Sequence, residues 1–261
     1  MSIANYKEHR EAFKTLLQPD CDKPILLFKG ESGTGKTELL KYCHSKIHKD
    51  TPHALIGLTS LSVTQFFYQA GRCLGWQHFE NFRENLAKLN TDRQVHINVN
   101  ENDQAGMGNM INVELNAVFK DATLEQRKER YSLLTNAWSE DINSLTKPCV
   151  LLLDVYDKNK TPIETQEWIS NDLLSCTAYS EKMRVVIAGQ DAPENINWEH
   201  RCEIKELDGV HEAEAWLEFA KERGFAVPSP SPIELLRGFC IALNGNPSAI
   251  MKFIEKFPRL Q

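Results

Sequence analysis

Apolar and polar positions follow two rhythms along the 261-residue chain. Five short apolar stretches, at 25–30, 53–58, 149–154, 184–190 and 202–207, have the length and apolar character of strands in a largely buried sheet. Between them, apolar residues recur at three- and four-residue spacing over 5–17, 36–47, 62–74, 79–89, 123–145 and 163–179, which predicts helices. Thr123 is placed to cap one of these and Gly75 to end another. Strand-length runs alternating with helices predict an α/β fold of three layers around a mostly parallel sheet.

Two regions break that rhythm. Val95, Ile97 and Val99 alternate with polar residues, as do Ile111, Val113, Leu115 and Ala117, with a polar stretch containing Gly106 and Gly108 between them. A β-hairpin inserted at 94–120 is the expectation, with a helix from Val113 to Lys120 as the alternative. From Asp208 onward the pattern is helical. An amphipathic segment spans 210–223, the stiff Pro228-Ser229-Pro230-Ser231-Pro232 follows, and two further helices flank Gly245-Asn246-Pro247. The expected division is a domain over 1–207 and a small, all-helical, lid-like module over 208–261.

The junction of the first run with the first long helix carries the strongest chemical signal. Gly30-Glu31-Ser32-Gly33-Thr34-Gly35-Lys36-Thr37 has the spacing G-x-x-x-x-G-K-T of a phosphate-binding loop. Gly30, Gly33 and Gly35 lack Cβ, so the backbone can turn sharply and aim its N–H groups at a polyphosphate. The helix that follows directs its positive end at the same anion. Ser32, Thr34 and Glu38 complete the expected nucleotide contacts. Lys36 is expected on the β- and γ-phosphates and the Thr37 hydroxyl on Mg2+.

Asp154 closes the apolar run 149–153 at the edge where ligands of open α/β sheets gather, which makes it the acid expected on the metal. Asp157 is placed either to polarise an attacking water or to complete the metal shell. Gln190 ends the next strand, where it would sense the γ-phosphate or orient water. The segment 5–17 either packs on the core or flanks the adenine ring. Arg184 lies at the wrong end of its strand to serve as a catalytic arginine, and Arg201 and Arg72 have no motif behind them.

Composition narrows the rest. An apolar fraction of 41% and a charged fraction of 25% are ordinary for a soluble globular chain. A net charge of −6 and a pI near 5.8 oppose broad binding to nucleic acid or acidic membranes. Seven dispersed cysteines with no C-x-x-C pair, no hydrophobic signal core and no bilayer-length apolar run point to a cytoplasmic protein with reduced thiols.

With these residues placed, the chain resembles the STAND class of signalling P-loop NTPases, the group that includes NACHT and NB-ARC switches. The loop 30–37 carries the resemblance first. Leu151-Leu152-Leu153-Asp154-Val155-Tyr156-Asp157 is similar to the NACHT pattern of two acids three residues apart. Gly245-Asn246-Pro247-Ser248-Ala249 resembles the G-x-P motif of the family's helical domain, which implies that Pro247 contacts nucleotide. His9-Arg10-Glu11 echoes a motif near the base. Lys158 stands where NACHT proteins usually have a further acid, and Gln190 replaces the arginine common in NB-ARC proteins. The winged-helix segment and the repeat-built sensor of the class are absent, so the resemblance implies a nucleotide-binding core of a larger protein or a minimal version with separate partners.

The resemblance implies an ATP/ADP switch with slow, Mg2+-dependent hydrolysis, in which Lys36, Asp154 and Asp157 are catalytic and Thr37 and Asp154 hold the metal. It also implies self-association or protein partners on activation. The alternatives are a P-loop phosphotransferase acting on a small molecule and a nucleotide-binding scaffold without turnover. A GTPase is disfavoured because no N-K-x-D motif follows the core.

Overall fold

A computed structural model describes residues 6–90 and 104–259. Five strands form one all-parallel sheet: β1 (Ile25–Gly30), β2 (His53–Gly57), β3 (Cys149–Tyr156), β4 (Met183–Gly189) and β5 (Cys202–Leu207), in the order β2-β3-β4-β1-β5. Each expected apolar run became one of them. The three inner strands β3, β4 and β1 are buried on both sides, as their unbroken hydrophobicity requires.

The period-2 alternation of each strand sorts its side chains between two cores. Ile25, Leu27, Leu151, Leu153, Val185 and Ile187 face the larger one. It is covered by α3 (Val63–Leu74), α4 (Glu80–Asn90), α5 (Gln104–Phe119), α6 (Leu124–Asn143) and a helical stretch made of α7 (Ile163–Trp168), a π turn (Ile169–Leu173) and α8 (Leu174–Tyr179). Phe79 stacks flat on Trp138 at its centre, with centroids 5.8 Å apart. Leu26, Phe28, Val150, Leu152, Val186 and Ala188 face the other. That side is covered by α1 (Lys7–Leu16), α2 (Lys36–Lys46), α9 (Ala213–Glu222), α10 (Pro232–Ala242) and α11 (Pro247–Ile254). The arrangement is a three-layer P-loop NTPase-like fold.

Local signals hold where the chemistry is specific. Thr123 caps α6 through a reciprocal bond with Gln126, Ser62 does the same for α3 with Gln65, and Gly75 ends α3 at φ 92°. The expected hairpin at 94–120 fails where it can be seen. Its first alternating run lies within 91–103, outside the described residues, and its second run is the helix α5. Met107, Ile111, Leu115 and Val118 are buried on one helical face, whereas Val113, which the alternating pattern would have turned inward, is 45% exposed. Period 3.6 overrides period 2 because α3 and α4 offer a groove to a helix stripe. Gly106 and Gly108, read as loop residues, lie inside α5, and Gly108 sits close against the Trp76 ring.

All seven cysteines are free thiols. No helix among the described residues is long and apolar enough to cross a membrane.

Candidate functional site

β1 ends at Gly30, and the chain turns through the loop into α2 with Gly33 at φ 86° and Gly35 at φ 87°. Both angles lie in the left-handed region open to glycine, so the loop closes without strain. Gly35 caps α2 without any side-chain bond, leaving the first-turn amides directed at the loop mouth. Lys36 lies across the loop, with Nζ donating to the carbonyls of Gly30 (2.7 Å) and Glu31 (2.6 Å). Burial pushes its ammonium below the usual lysine range, although Asp154 and Asp157 pull the other way.

Asp154 arrives from β3 at the same mouth. Thr37 Oγ1 donates to its Oδ1 at 3.1 Å, joining positions 117 residues apart. Burial raises the Asp154 carboxyl above the ordinary range, against the lowering effect of its bonds to Thr37 and the Val155 amide. Two hard oxygen donors side by side at the end of an amide cradle suit Mg2+, which takes few protein ligands and completes its shell with phosphate oxygens and water. Among the described residues no cluster of three His, Cys, Asp or Glu offers a metal cage.

A cavity of about 430 Å³ opens between this loop, β3, β4 and the C-terminal helices. Of the expected contacts, Ser32, Gly33, Gly35, Lys36, Thr37 and Glu38 line it from the loop side. Asp154, Asp157 and Gln190 line it from the strand ends, and Pro247 from α11. Gly30 and Thr34 do not line it, and Thr34 Oγ1 donates to the Glu31 carbonyl at 2.9 Å. Glu38 is paired with Lys41 at 2.8 Å.

Asp157 is only 4% exposed and already engaged: it accepts the Asn159 amide at 2.8 Å and pairs with Lys160 at 3.2 Å. These partners hold its carboxyl below the usual range, with the Asn159 amide the larger influence. Gln190 anchors through its backbone, its N–H donating to the Tyr156 carbonyl at 3.1 Å.

Four groups at the site go beyond what the sequence indicated. Tyr6, at φ 67°, turns its hydroxyl onto the Thr34 carbonyl and lines the cavity. Asn246 and Ser248 touch the loop backbone itself. Asn246 Nδ2 donates to the Ser32 carbonyl at 3.3 Å, and the Ser248 amide donates to the Gly33 carbonyl at 3.1 Å. Trp216, Phe219 and Met251 give the cavity an apolar wall, and Arg223 joins it with its guanidinium 5.3 Å from the Phe219 ring centroid.

His9, Arg10 and Glu11 do not line the cavity. His9 bonds the Glu206 carbonyl at 2.9 Å, Arg10 lies over the Tyr42 ring, and Glu11 pairs with Lys14. Arg72 lies over Tyr68, and Arg184 and Arg201 sit at the opposite edge of the sheet.

No protein-family model matches the sequence, and no curated protein resembles it significantly. Among solved structures, the fold is similar to a signal transduction ATPase with numerous domains (STAND) from Pyrococcus horikoshii, a protein with a tetratricopeptide repeat sensor. The TM-score is 0.54 at 16% identity, and the match covers 100% of this chain and 31% of that one. A likeness at this identity speaks to the fold.

Proposed function

We propose that this chain is an ATP-binding regulatory switch of the STAND kind, in which the bound nucleotide governs how the helices after residue 207 hold the phosphate loop. The observation that carries this reading is the direct bonding between them, Ser248 to the Gly33 carbonyl and Asn246 to the Ser32 carbonyl. A loop gripped through its own carbonyls cannot change shape without moving the element that grips it. The switch requires ATP and ADP to favour different positions of those helices, since a ligand of equal affinity for both shifts nothing.

Within this reading the loop amides and the α2 N-terminus hold the phosphates. Lys36 redirects its ammonium from the Gly30 and Glu31 carbonyls toward the β- and γ-phosphates. Tyr6, Trp216, Phe219 and Met251 offer the base and ribose an apolar wall. Thr37 and Asp154 hold Mg2+, which when bound neutralises charge on the phosphate oxygens. Gln190 orients water or reads the γ-phosphate. Asp157, with its lone pairs committed to Asn159 and Lys160, is a weak base, so turnover is slow. Opening of the helical module would expose surface for self-association.

Lys36→Ala tests the reading by calorimetric titration with ATP. Loss of a charge-assisted phosphate contact of about 2–3 kcal/mol weakens binding roughly 30–150-fold. Unchanged affinity would end the proposal. Chromatography of freshly purified protein should also release stoichiometric ADP. A second reading, a nucleotide-binding scaffold without turnover, is favoured by the engagement of Asp157. Asp157→Asn would then leave phosphate release unaltered.

A further inference from the structure

A second cavity, of about 1030 Å³, opens at the amino ends of the strands, on the edge of the sheet away from the phosphate loop. Residues of segments 19–22, 146–148 and 178–184 and of the turn before β5 line this open cavity. Its wall holds Arg184, the second residue of β4, which is 3% exposed. Among the described residues this guanidinium is bonded only to neutral acceptors. Nη1 donates to the carbonyls of Glu181 (3.1 Å) and Met183 (3.0 Å), and Nη2 donates to the Pro19 carbonyl at 3.4 Å. Of its five donors, one Nη2–H and the Nε–H remain, and Nε is buried without a partner.

Carbonyl bonds satisfy donors, but they do not neutralise charge. A buried guanidinium normally sits beside a carboxylate, because desolvating an unpaired charge is costly. Here burial lowers its pKa, a second cation, Arg201, lowers it further, and the Cys21 thiol acts in the opposite direction. Arg201 is half-buried and donates through Nε to the Ala178 carbonyl at 3.2 Å, and among the described residues its Nη groups make no hydrogen bond or ion pair. Asp20, Asp22 and Glu181 line the same cavity, yet among the described residues none forms an ion pair with either arginine. A purely structural clamp on three carbonyls would explain Arg184. It would not explain a second guanidinium placed next to it, since like charges repel.

We propose that this cavity binds a small soluble ligand through an oxyanion, a phosphate or carboxylate group, clasped by the Arg201 Nη groups and the remaining Nη2–H of Arg184. Planar guanidinium forks match such anions bidentately, and a buried cation with no counter-ion supplies the field that holds them. The cavity is larger than a lone anion needs and reaches the metabolite range. Tyr179, 74% exposed at its rim, offers an aromatic face to the rest of the ligand.

The phosphate loop is weakened as a competing anion site by using the Lys36→Ala protein at constant ionic strength, and the dependence on Arg201 separates what binding remains there from binding in this cavity. Calorimetry is run with inorganic phosphate in one arm and citrate in the other, and the Arg201-dependent binding is read. Binding of phosphate alone assigns a phosphorylated ligand, and binding of citrate alone assigns a carboxylate. Adding Arg201→Gln should weaken the bound anion about ten-fold or more, with Arg201→Lys recovering part of the loss. Should the Gln variant fail to fold, the same protein carrying native Arg201 is treated with phenylglyoxal, and the bound anion should protect Arg201 in the peptide map. Absence of binding at about 10 mM of either anion, or an affinity indifferent to Arg201→Gln, or no protection, overturns the proposal.

Discussion

Asn246 offers the sharpest test of contact between the phosphate loop and the C-terminal helices, because it makes two separable bonds. Oδ1 accepts the Ala249 amide at 3.1 Å and caps α11, while Nδ2 donates to the Ser32 carbonyl at 3.3 Å. Asn246→Ala removes both. The cap contributes about 1 kcal/mol, and the longer, exposed bond to the loop contributes about 0.5 kcal/mol. For a chain of this size the sum lowers Tm by roughly 3–6 °C, read by thermal unfolding without nucleotide. Asn246→Asp keeps the capping oxygen and should lose only the smaller share. It also sets a carboxylate beside the loop and should weaken ADP binding more than the Ala variant does.

Gly33 sharpens the test further. A Cβ there would lie 2.7 Å from Asn246 Nδ2, on a backbone already at φ 86°. Gly33→Ala costs about 1–2 kcal/mol from the backbone alone, and the clash adds to that only while Asn246 is present. A double-mutant cycle should therefore show a coupling of about 0.5–1 kcal/mol, with Gly33→Ala milder in the Asn246→Ala background. Strict additivity, or an Asn246→Ala Tm within 1 °C of the wild-type value (roughly 0.3 kcal/mol), would refute the reasoning.

Other outcomes follow from the same geometry. On the proposed reading Mg2+ is held by ionised Asp154, and burial raises its carboxyl, so the Mg2+-dependent share of ATP affinity is expected to be full above that raised pKa. It is lost as pH falls through it, at a higher pH than an ordinary aspartate near 4 would show; Asp154→Asn should abolish the dependence in calorimetry at several pH values. Because the folded pKa exceeds the unfolded one, ionised Asp154 destabilises the nucleotide-free fold at pH 7, so Asp154→Asn should raise its Tm. Gly189→Ala places a Cβ 2.1 Å from the Tyr156 carbonyl and should cost about 2–3 kcal/mol in urea unfolding, with loss of Mg2+-dependent binding.

How much of this is legible in the sequence depends on how local the cause is. The three inner strands declare themselves because a parallel strand covered on both faces must be apolar at successive positions, whereas the edge strand β5 interleaves its apolar residues with charged ones. The loop declares itself because an amide cradle needs missing Cβ atoms at fixed spacing. Asp154 follows from its place at the end of an apolar run. Tyr6 and Asn246 do not declare themselves, since their bonds to Thr34 and Ser32 span 28 and 214 positions and no spacing encodes them. Arg223 can be placed at a helix end, but the direction of that helix toward the cavity is a matter of packing. The region 104–119 misleads for a related reason: Ile111 and Leu115 satisfy both a strand and a helix pattern, and only the groove beside α3 and α4 chooses.

The spacing of Asp154, on β3, and Asp157, just past its end, poses a puzzle that the backbone resolves. Residues 154 and 157 are an odd number apart, so on a regular strand they would face opposite sides of the sheet. Yet both line the same cavity. The register of β3 against β4 shifts between Asp154 and Tyr156, where Val155 is the extra residue at φ 64°. For a β-branched residue this angle costs about 1–2 kcal/mol, and such strain persists only where its surroundings enforce it. Here Val155 N–H donates to Asp154 Oδ1 at 3.0 Å, and Thr161 Oγ1 donates to the Val155 carbonyl at 3.2 Å. Gly189 leaves room for the Tyr156 carbonyl. The bulge restarts the alternation one residue late. Leu152 packs on the side of α2, and Asp154 follows it there to reach Thr37. Tyr156 then joins Leu153 in the opposite core instead of following Asp154. That change of phase returns Asp157 to the loop side, so one strained valine brings two acids three residues apart to the same cavity.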